Sequence, residues 1–337
     1  MIKTKQIFIV GSSRSGTTMM GRILGNHSSI FTFKELHFFG TIWTNHSEST
    51  LDRKQQIDLL SRLLCIEKNG LFQQDNISDF NDSAMSILAN KKVSNPLSIY
   101  ELFLAEITSY NKCLIACDQT PKNMYYLNEI LLYFPNAKVI NMVRDQRDVL
   151  LSQKNKWKRR FLGASAIPLS EAIRSYINYH PILSAKIWNS SLECTAKFTN
   201  NNRVRVVRFE DLLVEPIRIV KELCLFLEID FHQEMLKVPV VGSSTQQDVR
   251  TKLFIDISMK EKWKNGGLNS AEIYLSHLVT NSMMKKFKYD VEKFSSPPIL
   301  ILFYLISLPI KLILAFLFNI KRMGDIVEVI EKRFFVK

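Results

Sequence analysis

The chain is short of the features that would put it in a special class. Among 337 residues there are only 5 cysteines, 11 glycines and 10 prolines. The cysteines (Cys65, Cys113, Cys117, Cys194 and Cys224) are odd in number and scattered. That argues against a disulfide framework and fits a reducing compartment. Cys113 and Cys117 lie four apart in an apolar stretch with no second Cys or His pair nearby. They read as thiols on one face of a strand, not as metal ligands. No internal repeat or low-complexity linker is visible. With 46% apolar and 23% charged residues, disorder, collagen and a pure coiled coil are excluded. An export signal is also missing: the apolar run after Lys3 and Lys5 covers only Ile7–Val10, against the roughly 7–15 residues a signal peptide needs. Acidic residues are the scarcer charge, 32 against 45 Lys and Arg, for a net +13. That balance favours anionic partners.

What is present alternates between two periods. Gln6–Val10, Ile30–Phe33, Cys113–Cys117, Lys138–Val143 and Val204–Phe209 read as strands. Helical spacing follows Gly16 (Met19 with Ile23, Met20 with Leu24) and fills Leu97–Tyr110, Met124–Phe134, a stretch from about Asp145, Leu169–Thr199 and Leu212–Leu227. Asn45–Asn95 is polar and mostly helical in pattern, and Asn269 with Glu272 makes a capping signature. Such alternation predicts an α/β fold, three layers α/β/α around a central parallel sheet. The composition breaks at Ser295-Ser296-Pro297-Pro298. Residues 1–296 therefore read as one domain, and residues 297–337 as an apolar membrane-associating segment with a basic tail.

The strongest motif is GSSRSGTT, Gly11–Thr18, between a strand and a helix. Backbone amides and the helix dipole at such a junction hold an anion. Gly11 and Gly16 have Walker A spacing, but Thr17 stands where the lysine would be, and the cation sits inside the loop as Arg14. A P-loop kinase is disfavoured, because the β/γ-phosphate clamp is gone.

This loop resembles the 5′-phosphosulfate loop of sulfotransferases that use 3′-phosphoadenosine 5′-phosphosulfate (PAPS), in the form seen in the Golgi, tyrosylprotein and bacterial branch. The resemblance implies that Arg14 and the amides of Ser15, Gly16, Thr17 and Thr18 hold the phosphosulfate. YFPNAKVINMVRD resembles the family's F-P-x-A-K-x-I-x-x-x-R-D run, which implies that Arg144, and Ser152 eight residues on, bind the 3′-phosphate. CDQTPKN, RFEDLLVEP and MKEKWKNGGLN resemble three further segments of the family. Gln119 stands where relatives often carry a lysine near the leaving group; Lys122 lies close by in sequence.

For the base, the resemblance points to Glu35 in FKELHFFG, with His37 as the rival. Read without it, Glu35 is a surface carboxylate beside Lys34. No metal is expected. The implied activity is transfer of the sulfuryl group to an acceptor hydroxyl, on a glycan, a lipid or a lipid-linked saccharide. The alternative is a membrane-associated anion-binding protein without transfer activity.

Two basic or apolar features remain. Lys154, Lys156, Lys158, Arg159 and Arg160 surround Trp157; they read as a solvated helix end or as a surface for an anionic acceptor or lipid, with no recognised nucleic-acid module. Ile299–Phe318 is apolar except at Ser307, Pro309 and Lys311, long enough to span a bilayer. Cations lie on both flanks: Lys285, Lys286, Lys288 and Lys293 before, and Lys321, Arg322, Lys332, Arg333 and Lys337 after. Positive charge on both sides opposes a span. The expectation is a re-entrant or in-plane anchor through residues 299–320, with a cytoplasmic protein on the inner face of a membrane.

Overall fold

The structure, a computed structural model, describes residues 5–47, 50–320 and 324–334. Lys3, Lys321, Arg322 and Lys337 of the sequence reading lie outside these. The first half of the chain runs β1 (Lys5–Gly11), α1 (Thr17–Gly25), β2 (Ile30–Thr32), α2 (Arg53–Asn69), α3 (Asn81–Leu88), α4 (Pro96–Tyr110), β3 (Ile115–Asp118), α5 (Leu127–Tyr133) and β4 (Lys138–Val143). It continues with α6 (Gln146–Lys154), α7 (Leu169–Ile177), α8 (Pro181–Lys197), β5 (Val204–Arg208), α9 (Phe209–Val214) and α10 (Pro216–Leu227). A hairpin of β6 (Pro239–Val240) and β7 (Val249–Leu253) follows, then α11 (Ser270–Lys286), α12 (Pro298–Asn319) and α13 (Ile326–Phe334).

The first five strands form one parallel sheet in the order β2-β3-β1-β4-β5. β1 is central, and its Ile7–Val10 run is apolar because both of its faces are covered. Phe8 and Val10 face a core with residues of α2, α4 and α5. Ile7 and Ile9 face the other way, onto α1, α9 and α10. The pleat sends alternate residues to opposite layers, which makes the three-layer α/β/α arrangement. A smaller cluster of Val149, Trp188, Leu192 and Met284 ties α6, α8 and α11 together.

Several expected elements are corrected. Leu169–Thr199 is two helices, because Pro181 opens α8 after an extended His180 (φ −154°, ψ 136°). The stretch before Leu227 is also two, α9 and α10, broken where Pro216 starts the second; α9 already begins at Phe209. Met124–Phe134 enters as a tight 3₁₀ turn over Pro121–Tyr126 and becomes α-helical only at Leu127. β3 starts at Ile115, so Cys113 lies before the strand and is partly exposed while Cys117 is buried. The two thiols do not share a strand face. The capping box of Asn269 and Glu272 forms on α11 as its spacing indicates.

The register sets the location of everything that follows. Gly11 lies opposite Met142 across the β1–β4 ladder, so the turn after β1 and the turn after β4 leave the sheet side by side. This is the carboxyl end of the strands, where open α/β sheets hold their ligands.

Candidate functional site

The first turn is built by backbone necessity. Gly11 has φ +144°, and a Cβ there would lie 2.2 Å from Met142 O. Gly16 has φ +93°, and a Cβ would lie 2.3 Å from the Phe209 ring. Any other residue would push the loop off β4 and α9. Arg14 itself takes a left-handed φ of +75°, uncommon for a residue with a side chain. The Ser15 amide closes the turn onto Ser12 O at 3.1 Å. Its hydroxyl is buried without a partner. Gly16, the residue before α1, gives the helix no side-chain cap, so the first-turn amides point outward unsatisfied.

The second turn meets the first directly. Arg144 Nη1 donates to Arg14 O at 3.3 Å, and Arg14 Nε donates to Ser152 Oγ at 2.9 Å. Arg144 is fixed from every side. Its guanidinium lies 4.6 Å from the Phe209 ring centroid, Nη2 donates to Met259 O at 2.8 Å, and Asp148 stands 3.5 Å away. Its carbonyl accepts from the Trp188 indole at 2.9 Å. The Nε of Arg144 has no partner and is buried. A phosphate needs such unused donors, and Ser15 Oγ, Arg144 Nε and the end of α1 provide them.

The loop after β6 closes this corner. Arg14 Nη2 donates to Gly242 O at 2.7 Å, and Ser152 Oγ lies 3.0 Å from Ser244 Oγ. Lys262 donates to Gln246 at 2.6 Å, and Trp263 N donates to Asp148 at 3.0 Å. Sequence reasoning missed Gly242 and Ser244. The only local signal is the Gly-Ser-Ser turn itself, since the Arg14–Gly242 contact spans 228 positions.

Glu35 sits on the opposite wall. The chain after β2 is held by Thr120, whose Oγ1 accepts from Leu36 N at 3.0 Å and His37 N at 3.4 Å. Thr120 in turn donates through N and Oγ1 to the buried Asp118, at 2.9 and 2.6 Å. Tyr100 and Asn123 complete that carboxylate's shell. Burial pushes Asp118 upward against these bonds. Glu35 Oε2 lies 3.1 Å from His37 Nε2, so the two rival base candidates are partners. Desolvation raises the Glu35 carboxyl, but the His37 bond, the His37 charge, Lys156 and Lys122 outweigh it and hold Glu35 below the ordinary carboxylate range. Gln119 turns away, against Gly21 of α1.

The cleft is rich in positive charge. Burial, then Arg159 and Arg144, push the Arg14 guanidinium down to about 9. Burial, then Arg14 and Arg174, push the Lys156 ammonium down to about 8. The rest of the basic run is occupied: Lys154 pairs with Glu272 at 2.7 Å, Arg159 with Asp248 at 3.7 Å, and Trp157 packs on Phe161 and Tyr176. The structure thus brings Arg14, Ser15, Gly16, Thr17, Arg144 and Ser152 to one corner. Thr18 opens to solvent one position further on.

The profile of the sulfotransferase family matches residues 6–233. A protein of Aquifex aeolicus (strain VF5), described as uncharacterized, is 26% identical over 268 residues, 77% of this chain and 30% of that protein. The chain thus spans about 30% of the length of this curated relative. Two solved structures share the fold. The sulfotransferase domain from the curacin biosynthetic pathway has a TM-score of 0.53 at 21% identity, covering 85% of this chain and 98% of that domain. The sulfotransferase domain from the Synechococcus PCC 7002 olefin synthase has a TM-score of 0.54 at 22% identity, covering 86% and 96%.

The wiring of the Glu35 wall makes a stability prediction. Thr120→Val removes the acceptor of the buried Leu36 amide and a donor to Asp118. It is expected to destabilise the protein by about 1–3 kcal/mol in urea unfolding, with Thr120→Ser close to wild type. An unchanged midpoint for the valine variant would refute this wiring.

Proposed function

The chain belongs to the sulfotransferase family, and from that premise we propose that it uses PAPS and moves its sulfuryl group to an acceptor hydroxyl. The observation that carries this reading is the Arg14–Ser152–Arg144 corner, where two anchors for two separate phosphates share one hydrogen-bonded group. When bound, PAPS supplies the sulfuryl group and a phosphate leaving group. In this reading Ser15, Gly16, Thr17, Thr18 and Arg14 hold the phosphosulfate end, and Arg144 with Ser152 holds the 3′-phosphate. The acceptor hydroxyl gives its proton to Glu35 as its oxygen takes the sulfuryl group. His37 holds Glu35 Oε2 and so leaves Oε1 for the proton. The like-charged guanidinium and ammonium groups neutralise the charge developing on the leaving oxygen.

The acceptor, on this proposal, is a glycan or lipid met at a membrane surface. Three polar side chains of α12 fasten it to the body of the protein. The Tyr304 hydroxyl accepts from Asn269 at 3.1 Å, Lys311 donates to Ile177 O at 3.3 Å, and Asn319 accepts from Arg174 at 2.7 Å. The opposite stripe (Ile299, Phe303, Ile306, Ile310, Ile313 and Leu317) is 57–69% exposed. Helix α13 beyond it bonds back to the body through Glu328 and Asn45. Both ends of α12 therefore lie on one side, which supports an in-plane anchor over a span.

The cofactor reading is tested by calorimetry. 3′-Phosphoadenosine 5′-phosphate is expected to bind at least tenfold more tightly than ADP, from two charge-assisted contacts that ADP lacks. Glu35→Gln is expected to keep that affinity and to lose about 10²–10⁴-fold in turnover. Equal affinity for ADP would sink the role given to Arg144 and Ser152. Full turnover in Glu35→Gln with loss in His37→Ala would exchange the two base candidates.

Lys156 gives a pH signature. Its pKa is depressed to about 8 in the free protein, and a bound anion raises it. Between the two values, binding takes up a proton, so affinity falls as pH rises through about 8. Calorimetry just above that pH, in buffers of different ionisation enthalpy, should show net proton uptake. Proton release would contradict the assignment.

The anchor is tested on vesicles. Burying each large apolar side chain of the stripe is worth about 1.5–3 kcal/mol. Phe303→Glu combined with Ile310→Glu should abolish flotation with phosphatidylglycerol vesicles and leave nucleotide affinity intact. Flotation that survives both substitutions would reject the stripe as the contact.

A further inference from the structure

Helix α13 brings further positive charge to the acceptor side of Glu35. Val329 is buried against the body, and Glu328 Oε2 accepts from Asn45 N at 2.8 Å. Lys332 is consumed in this docking: it bonds Glu129 and Tyr125 O, and lies 4.3 Å from the Tyr126 ring centroid. The next residue, Arg333, lines the same narrow cavity as Lys122, together with Gly40 and Tyr126. Lys122 stands two residues after Thr120, which holds the amides flanking the Glu35 turn. The cavity wall is therefore continuous with that turn. Arg174 reaches in from α7, bonded to Glu171 and Asn319, each at 2.7 Å. Lys156 comes from the 3₁₀ turn after α6.

Arg174 is neutralised by Glu171, but its neighbours are not. Among the described residues Lys122, Lys156 and Arg333 have no carboxylate at ion-pair distance. Lys122 is open to solvent and is held below the ordinary lysine range first by Arg333, then by Lys156 and Arg174, with Glu35 opposing. Repulsion of this kind is relieved by a bound anion. The cofactor corner already has Arg14, Arg144 and Ser152. Lys122, Arg174 and Arg333 come from elements that contribute nothing to that corner, so the excess charge serves the other reactant.

We propose that Lys122 and Arg333, with Arg174 beside them, form an anion subsite for the acceptor, which carries a phosphate close to the hydroxyl that receives the sulfuryl group. The proposal rests on the sulfotransferase reading given above. A phospholipid headgroup and a soluble phosphate ester present the same chemistry. The Arg174–Asn319 bond sets the subsite beside the end of α12, within reach of either.

The test uses the full chain saturated with 3′-phosphoadenosine 5′-phosphate, so that the cofactor anchors are filled. Radiolabelled inorganic phosphate is then added by equilibrium dialysis. Phosphate is expected to bind this complex. Arg333→Gln and Lys122→Gln should each weaken it at least tenfold without changing nucleotide affinity. Displacement of the label by glycerol 1-phosphate supports a soluble ester as acceptor, and displacement by phosphatidylglycerol vesicles supports a lipid headgroup. Displacement by neither overturns the subsite, as does phosphate binding that both substitutions leave intact, or no phosphate binding at all. The nucleotide titration is read first: if the nucleotide does not bind, the sulfotransferase reading fails and the subsite with it, whereas nucleotide binding without phosphate binding overturns the subsite alone.

Discussion

Arg14 and Arg144 are drawn into one hydrogen-bonded group at the carboxyl edge of the sheet, although both carry positive charge. Left alone, two guanidinium groups would move apart. Here the register of β1 against β4 holds their turns together. The cation–π contact with Phe209, the Met259 carbonyl and Asp148 offset part of the repulsion on Arg144. Burial first, and then Arg159 and Arg144, depress the Arg14 guanidinium to about 9. A protein built this way has its most favourable state with an anion in place. The sheet order, the glycine turn and the closing loop after β6 all serve that one condition.

The same edge explains why distant motifs must be present together. Phe209 opens α9, and its ring both blocks any side chain at position 16 and receives Arg144. The neighbouring Glu210 accepts from Asp145 N at 2.9 Å and from the Tyr289 hydroxyl at 3.1 Å. Burial raises its carboxyl, and the Asp145 amide opposes that first. Arg147 lies 4.1 Å from the Trp263 ring centroid and pairs with Asp145 at 2.7 Å. The RFEDL, VRDQRD and KEKWK segments are thus one interlocked shell around Arg144. Glu35 depends on an equivalent shell through Thr120 and Asp118. An anion bound among Arg14 and Lys156 withdraws some of the positive charge that holds Glu35 low. On the proposed mechanism, the carboxylate is kept ionised in the free protein and becomes a stronger base when the site is filled.

The sheet and the two turns at its carboxyl edge were legible in the sequence because their signals are local. An apolar run ending in Gly11, a cation in the loop and a strand ending in Val143-Arg144-Asp145 each fit within a dozen residues. Helix breaks at Pro181 and Pro216 were present as letters but hidden by continuous apolar periodicity on both sides, which a proline at the first helical position does not disturb. The Gly242–Ser244 turn, the Met259 carbonyl and the docking of α13 were not legible. They are contacts of backbone oxygens or of residues hundreds of positions apart, and backbone carbonyls leave no mark on residue type.

The end of the chain shows how length and composition under-determine a membrane segment. Helix α12 is long and apolar enough to span, with 22 residues and a mean hydropathy of 2.5. Its rotation about its own axis supports the in-plane placement proposed above. Tyr304, Lys311 and Asn319 fall at intervals of seven and eight, so they share one face of the helix, and each is bonded to α7, to its flank or to the start of α11. In a span, Lys311 and Asn319 would have to trade those partners for lipid, which offers no replacement hydrogen bonds. Glu328 and Lys332 would also have to cross the bilayer, leaving Asn45 N and Glu129 without their partners. A helix lying in the interface keeps every one of these bonds and still buries Phe303, Ile306 and Ile310. On the proposed in-plane placement, the polar face sets orientation and the apolar face supplies affinity.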